Sequence, residues 1–142
     1  MRGVYPMYSS IGILNRLAGA INAHDLDAFV ALFHADFESI HPAHPARTFR
    51  GREQVRKNWS AIFAGIRDLE ADVVDAATSA GCVWSEWRWH GKRAADGAPF
   101  EMRGVTRLEV RDESILRGWF FMEPLDRAPA RVDVAIRDQV GS

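Results

Sequence analysis

Cysteine is nearly absent: Cys82 stands alone in 142 residues. That excludes an internal disulfide and any all-cysteine metal site, and it fits a reducing compartment. Charge of one sign is missing too. Eighteen Lys and Arg balance nineteen Asp and Glu, a formal net charge of −1 with five neutral His. No basic field is therefore available to hold nucleic acid or an anionic membrane, and neither partner is expected. The apolar stretch Ile11 to Ile21 is broken by Asn15 and Arg16, well short of the ~20 apolar residues that span a bilayer. It also lacks the ordered charged, apolar and small-residue segments of a secretion signal, so the expected location is cytoplasmic. No nucleotide, flavin or metal motif is present, and no cofactor is expected. Repeats and low-complexity segments are lacking as well.

What remains is 47% hydrophobic and 26% charged, the composition of a chain that folds around one core. A single domain over 1–142 is expected, with a core of about 11–125 and a C-terminal tail, 126–142. Ile13, Leu14, Leu17 and Ile21 recur at helical spacing. Asp25 then suits the N-cap of a second helix carrying Leu26, Phe29, Val30 and Phe33. Phe37 to His41 reads as a short strand, because Pro42 pushes His41 toward extended backbone. Residues 41–46 form a loop. A third helix follows Gly51, with Val55, Trp59, Ile62, Phe63 and Ile66 on one stripe.

The rest reads as four strands: Leu69 to Ala77, Cys82 to His90, Ala98 to Val110 and Ile115 to Glu123. Short turn-rich separators make them an antiparallel meander, which Pro124 and Pro129 close. Residues 131–142 carry no assignable pattern. Three helices then strands define an α+β fold, the helices packed on one face of a curved antiparallel sheet. So few helices cannot fill the concave side, and a cavity is expected between the layers.

Alternation assigns faces. Val83, Ser85, Trp87 and Trp89 point inward on one strand, as do Phe100, Met102, Gly104, Thr106 and Leu108 on the next. On the last strand Leu116, Gly118, Phe120 and Met122 face inward, with Gly118 leaving room for a ligand. Glu86, Arg88, Arg103 and Arg117 lie outside beside Trp84, Val105, Trp119 and Phe121. That outward aromatic patch predicts a homodimer through the outer sheet face. Cys82, beside Val83 and Trp84, reads as a buried inert thiol.

The run Ile21-Asn22-Ala23-His24-Asp25-Leu26-Asp27-Ala28-Phe29-Val30-Ala31-Leu32-Phe33 resembles the SnoaL-like and ketosteroid-isomerase-like proteins of the nuclear-transport-factor-2-like superfamily. So do the extended segment before Pro42, the run Phe49-Arg50-Gly51-Arg52-Glu53-Gln54-Val55, Trp87 four residues before Gly91, and Ile115 to Pro124. The resemblance spans about 11–125. It implies a cone-shaped, cystatin-like roll with a deep apolar pocket at its wide end, a small hydrophobic ligand, and a dimer formed through the sheet.

By that resemblance His41 stands where steroid isomerases carry their general-base carboxylate. An imidazole takes a proton near neutral pH without help from burial; the alternative is a loop histidine that only hydrogen-bonds. Trp59 falls where those enzymes have a supporting tyrosine, and its indole N–H can orient a substrate oxygen or simply fill core. Thr106 and Leu17 replace the oxyanion-hole acid and the first-helix tyrosine, so the scaffold matches and the steroid-isomerase pattern does not. Glu123 matches a strand-end acid of many SnoaL-like proteins, or is merely solvated. His44 reads as solvated. His41 and His44 lack helical metal-pair spacing and a neighbouring acid, so no metal is expected.

The pocket wall is expected from Leu17, Trp59, Phe63, Ser85, Trp87, Trp89, Met102, Thr106, Gly118, Phe120 and Met122, with Ser85, Thr106 and the Trp59 N–H reaching substrate oxygens. Two functions follow. One is a cofactor-independent isomerase, polyketide cyclase or lyase acting on a polycyclic or aromatic substrate with His41 as base. The other is a small-molecule-binding homodimeric domain without catalysis, and its limiting case is a dimerisation domain whose pocket is plugged by its own side chains.

Overall fold

The helical spacing near the start yields α1 (Tyr8–Asn22). Its stripe of Ile13, Leu14, Leu17 and Ile21 is at most 5% exposed. At about 1.5–3 kcal/mol per buried side chain, that stripe outweighs helix propensity as the source of its stability. The computed structural model describes residues 8–128 and 130–141, with side chains from residue 10 onward; Pro129 and Ser142 lie outside the described residues.

Helix α2 (Leu26–Val30) is capped by the Asp25 carboxylate, which accepts from the Ala28 amide at 3.0 Å. Such a cap contributes about 1 kcal/mol. The expected helix through Phe33 is cut short. Phe33 instead opens β1 (Phe33–Ile40), pairing with Ile115, while the Ile115 amide donates to the Leu32 carbonyl at 2.8 Å. Pairing with a distant strand overrides the local helical period.

After the loop and a 3-10 turn at Pro45–Arg47 comes β2 (Phe49–Arg50), too short to leave a periodic signal. Then follow α3 (Arg52–Gly65), β3 (Glu70–Ser79), β4 (Cys82–Lys92), β5 (Pro99–Arg111) and β6 (Ser114–Pro124). The unassigned tail forms α4 (Val132–Val140), which buries none of its residues. Among the described residues there are thus four helices, one more than expected.

The sheet order is β2-β1-β6-β5-β4-β3. Strands β3 to β6 form the antiparallel meander, and β1 joins it by a parallel pairing with β6. The architecture is α+β, a curved open sheet with helices on its concave side. At the β3 edge, the Asn22 amide donates to the Ala71 carbonyl and its oxygen accepts from the Ala71 amide, at 3.1 and 2.7 Å. One side chain thereby satisfies backbone groups that lack a neighbouring strand.

A register shift between Glu109 and Val110 sets Ile115 in the core, fully buried, and leaves the expected inward residue Leu116 at the irregularity. On the outer face the Glu101 carboxylate accepts from Arg88 Nε at 3.0 Å and Arg103 Nε at 2.7 Å. Those two guanidinium groups hold its pKa down to about 2. Arg117 donates to Glu109 at 2.8 Å. Cys82 is free and buried.

Gly104 sits opposite Trp87 on β4 and Met122 on β6, with φ +156°. A Cβ there would collide with the Phe121 carbonyl oxygen and come within 2.8 Å of Met122 Cα. Gly104→Ala should therefore lose at least about 2 kcal/mol of stability in urea unfolding, since backbone has to move. Gly65→Ala, with no atom within 4 Å of the added carbon, should change it little.

Candidate functional site

Between the concave sheet face and the first three helices lies a cavity of about 200 Å³. That exceeds the ~150 Å³ apolar cavity known to admit benzene. It is below the ~300–1,000 Å³ usual for drug-sized ligands. The space suits one or two fused rings better than four.

Aromatic rings form much of its wall. Phe29 meets Trp59 at 4.3 Å between centroids, Trp59 meets Trp89 edge-on at 5.5 Å, and Trp89 meets Trp87 at 6.3 Å. On the other side Phe29, Phe33, Phe37 and Phe49 contact one another in succession at 5.2, 4.8 and 6.1 Å. Edge-on aromatic pairs contribute about 0.5–1.5 kcal/mol beyond burial, so these rings are braced by each other and do not fall into the empty space.

His41 is the single titratable side chain on this wall among the described residues. Its ring lies at 5.4 Å and 20° over Phe120, and its Nε2 is 2.9 Å from Ser39 Oγ. Ser39 is buried and also lines the cavity. Two tautomers satisfy that bond: Nε2–H donates to Ser39 and the lone pair lies on Nδ1, or Ser39 O–H donates to Nε2. The pair retains one basic site either way. Burial, then the positive Arg47, then His44, lower the pKa of His41 below 6.5, so the ring is neutral at pH 7.

Deeper in the sheet is a closed polar group. Trp87 Nε1 donates to Ser85 Oγ at 2.8 Å and Thr106 Oγ1 at 3.1 Å, and the two hydroxyls are 2.9 Å apart. One hydroxyl hydrogen satisfies the other oxygen and one is left over. Thr106 borders the cavity and Ser85 does not. On α3, Asn58 helps to line the cavity, and its Oδ1 accepts from Gln54 at 2.7 Å. Trp89 Nε1 is buried without any hydrogen-bond partner, a state that ordinarily costs about 1–3 kcal/mol.

Of the residues expected on the wall, His41, Leu17, Trp59, Trp87, Trp89, Thr106 and Phe120 are on it. Five are not. Phe63 packs behind Trp59 and stacks on His24. Ser85 lies beneath Thr106. Met102, opposite Trp89 and Pro124, packs against the core, and Met122 is buried opposite Gly104. The room expected at Gly118 is taken by the Phe120 ring, whose Cε2 would stand 2.7 Å from a Cβ there. Gly118 thus lets Phe120 fold back to where it meets His41.

Ser39, Asn58 and the four phenylalanines on α2, β1 and β2 were not foreseen. Ser39 lies two residues before His41, so strand alternation contained that signal. Asn58 falls between Val55 and Ile62 on the inward stripe of α3. His44 and Glu123, read as solvated, are partners: Nε2 to Oε2 is 3.0 Å, tying the loop to the end of β6. Among the described residues no three His, Cys, Asp or Glu side chains converge as a metal site, and no helix is long and apolar enough to cross a membrane.

This fold and cavity place the chain in the nuclear-transport-factor-2-like class. The chain belongs to the SnoaL-like family, whose domain model matches residues 14–118. A hypothetical protein from Catenulispora acidiphila with a ketosteroid-isomerase-like fold, solved with trimethylamine, is 25% identical over 75% of this chain and 82% of its own, with a TM-score of 0.66. IdmH from Streptomyces antibioticus, a candidate polyketide cyclase, is 22% identical over 94% and 99%, with a TM-score of 0.69. A candidate isomerase from Bacillus subtilis is 15% identical over 97% and 96%, with a TM-score of 0.76. No curated protein matches the sequence.

NMR titration should place the His41 midpoint below 6.5. Arg47→Gln should raise it toward that value, because a repelling charge is removed while burial remains.

Proposed function

We propose that this chain is a cofactor-independent acid–base enzyme of the SnoaL-like type, which isomerises, cyclises or dehydrates a compact hydrophobic substrate. His41, paired with Ser39, is its general base. The observation that carries the reading is one neutral imidazole in the wall of an otherwise uncharged, aromatic cavity. A substrate proton moves to the basic site of the pair, and the imidazolium returns it to the product in an isomerisation or cyclisation, or to the departing hydroxyl, which leaves as water, in a dehydration. No redox partner enters that balance. The names of its structural neighbours, polyketide cyclase and isomerase, support chemistry of this kind. The cavity volume favours substrates smaller than the polycyclic ones the resemblance suggests.

A second reading, a binding domain without turnover, draws on the same scarcity of titratable groups. His41→Ala and His41→Gln separate the two. Against a panel of small aromatic ketones and polyketide-derived lactones, each should lower turnover by about 10²–10⁴ with little change in binding. Wild-type turnover should hold above pH 6.5 and fall at lower pH, through a midpoint under 6.5, because the base works only while unprotonated. Turnover unchanged in His41→Ala would leave the binding reading.

We also propose pairing of two copies through the outer sheet face. Trp84 and Phe121 are 39% and 41% exposed there, beside an Arg107 guanidinium 4.1 Å from the Trp119 ring. Sedimentation should show particles of twice 16.0 kDa; a 16.0 kDa species alone at micromolar concentration counts against it.

A further inference from the structure

We infer that, when two copies pair, helix α4 of each lies on the outer sheet face of the other, its apolar stripe on Trp84, Val105 and Phe121 and its charges on Arg107 and Glu86. This seating rests on the pairing through that face proposed above, and it makes α4 the segment that covers the face.

Helix α4 has nine residues and buries none of them. A helix that short is marginal in water unless packing holds its apolar side. Such a side exists: Val132, Ile136 and Val140 recur every four residues and are 72%, 51% and 69% exposed. Seven large apolar side chains are markedly exposed among the described residues; four belong to α4, and Trp84 and Phe121 to the outer sheet face. One molecule thus carries two apolar surfaces without a partner. The root of α4 is fastened on the same outer side. The Leu125 amide donates to the Glu101 carbonyl at 2.9 Å, and Arg127 lies 3.5 Å from the outward Glu101 carboxylate. Yet α4 buries nothing against its own sheet, so the face it covers belongs to another copy.

Size and charge agree with that seating. Nine helical residues span about 13 Å, and the stretch of β5 from Arg103 to Arg107, centred on Val105, spans about 14 Å. Arg107 stands opposite Trp84 and Trp119 with its guanidinium over both rings, at 5.6 and 4.1 Å. Glu86 stands opposite Val105, so Arg107 and Glu86 are diagonal neighbours about 7 Å apart. On α4, Asp133 and Arg137 lie one turn, about 6 Å, apart beside the apolar stripe. None of these four charges makes an ion pair among the described residues. Asp133 on Arg107 and Arg137 on Glu86 would satisfy all four, and a two-fold pair makes the exchange twice.

Sedimentation equilibrium of the full chain reads the pairing constant. Ile136→Asp should raise the dissociation constant at least about tenfold. Asp133→Arg and Arg107→Glu should each weaken pairing about tenfold, and together restore it to within about threefold of wild type, because the ion pair is remade with its signs exchanged. Ile136 and Asp133 sit on a helix that buries nothing in its own chain, so their substitution does not act by unfolding the core. A disulfide then identifies which chain supplies the helix. Under oxidation, a mixture of Ile136→Cys and Phe121→Cys chains should yield a covalent pair with one chain of each kind, the native Cys82 being buried. A disulfide formed only within a chain carrying both substitutions overturns the exchange in favour of a helix closing on its own sheet. Pairing unchanged in Ile136→Asp, or no recovery in the doubly charge-reversed variant, overturns the inference and leaves the pairing of sheet faces. A single chain of 16.0 kDa at every concentration overturns both.

Discussion

Rings leaning on rings keep this molecule hollow. A concave sheet face opposed by three helices would ordinarily collapse until its side chains met, since apolar voids forfeit dispersion contacts. Here the rings from Phe49 through Phe37, Phe33, Phe29, Trp59 and Trp89 to Trp87 touch in sequence around the space. Each is stiff, with only two side-chain torsions, and each is wedged by the next. Leu17 and Ile21 from α1 and Val55 and Ile62 from α3 complete the wall without entering the gap.

The sheet separates two electrostatic environments by the thickness of one strand. Outside, Glu101 lies among Arg88, Arg103 and Arg127, while Arg117 reaches Glu38 and Glu109. Inside, the polar atoms are hydroxyls, indoles and one amide, joined by one imidazole. Alternation along β4 and β5 produces this division directly, because successive side chains point to opposite faces. The chemistry within reach follows: burial against this inner face, with the positive Arg47 nearby, lowers the pKa of His41 and leaves it a neutral base.

His41 owes its position to elements far apart in the chain. Phe120 on β6 supports its ring, Gly118 makes room for Phe120, and Ser39 on β1 holds Nε2. The loop that follows is anchored by His44 to Glu123. Parallel pairing of β1 with β6 brings these groups together, so a single non-local contact of the sheet governs the geometry around the base.

The sequence alone was enough to read α1 and α3, the β3 to β6 meander, the inward faces of β4 and β5, and His41 beside the cavity. The elements and faces follow from local periods, whereas the place of His41 beside the cavity comes from the resemblance to the SnoaL-like and ketosteroid-isomerase-like proteins. The end of α2, the existence of β2, the place of Leu116 and the filled space at Gly118 lay outside its reach, because each depends on a strand that arrives from elsewhere. Phe63, Met102 and Met122 are inward and apolar, as their spacing requires, yet they border core and not cavity. Periodicity decides which way a side chain points. Whether it meets another side chain or empty space is decided by how closely distant elements approach, and that distance exists only once the chain has folded.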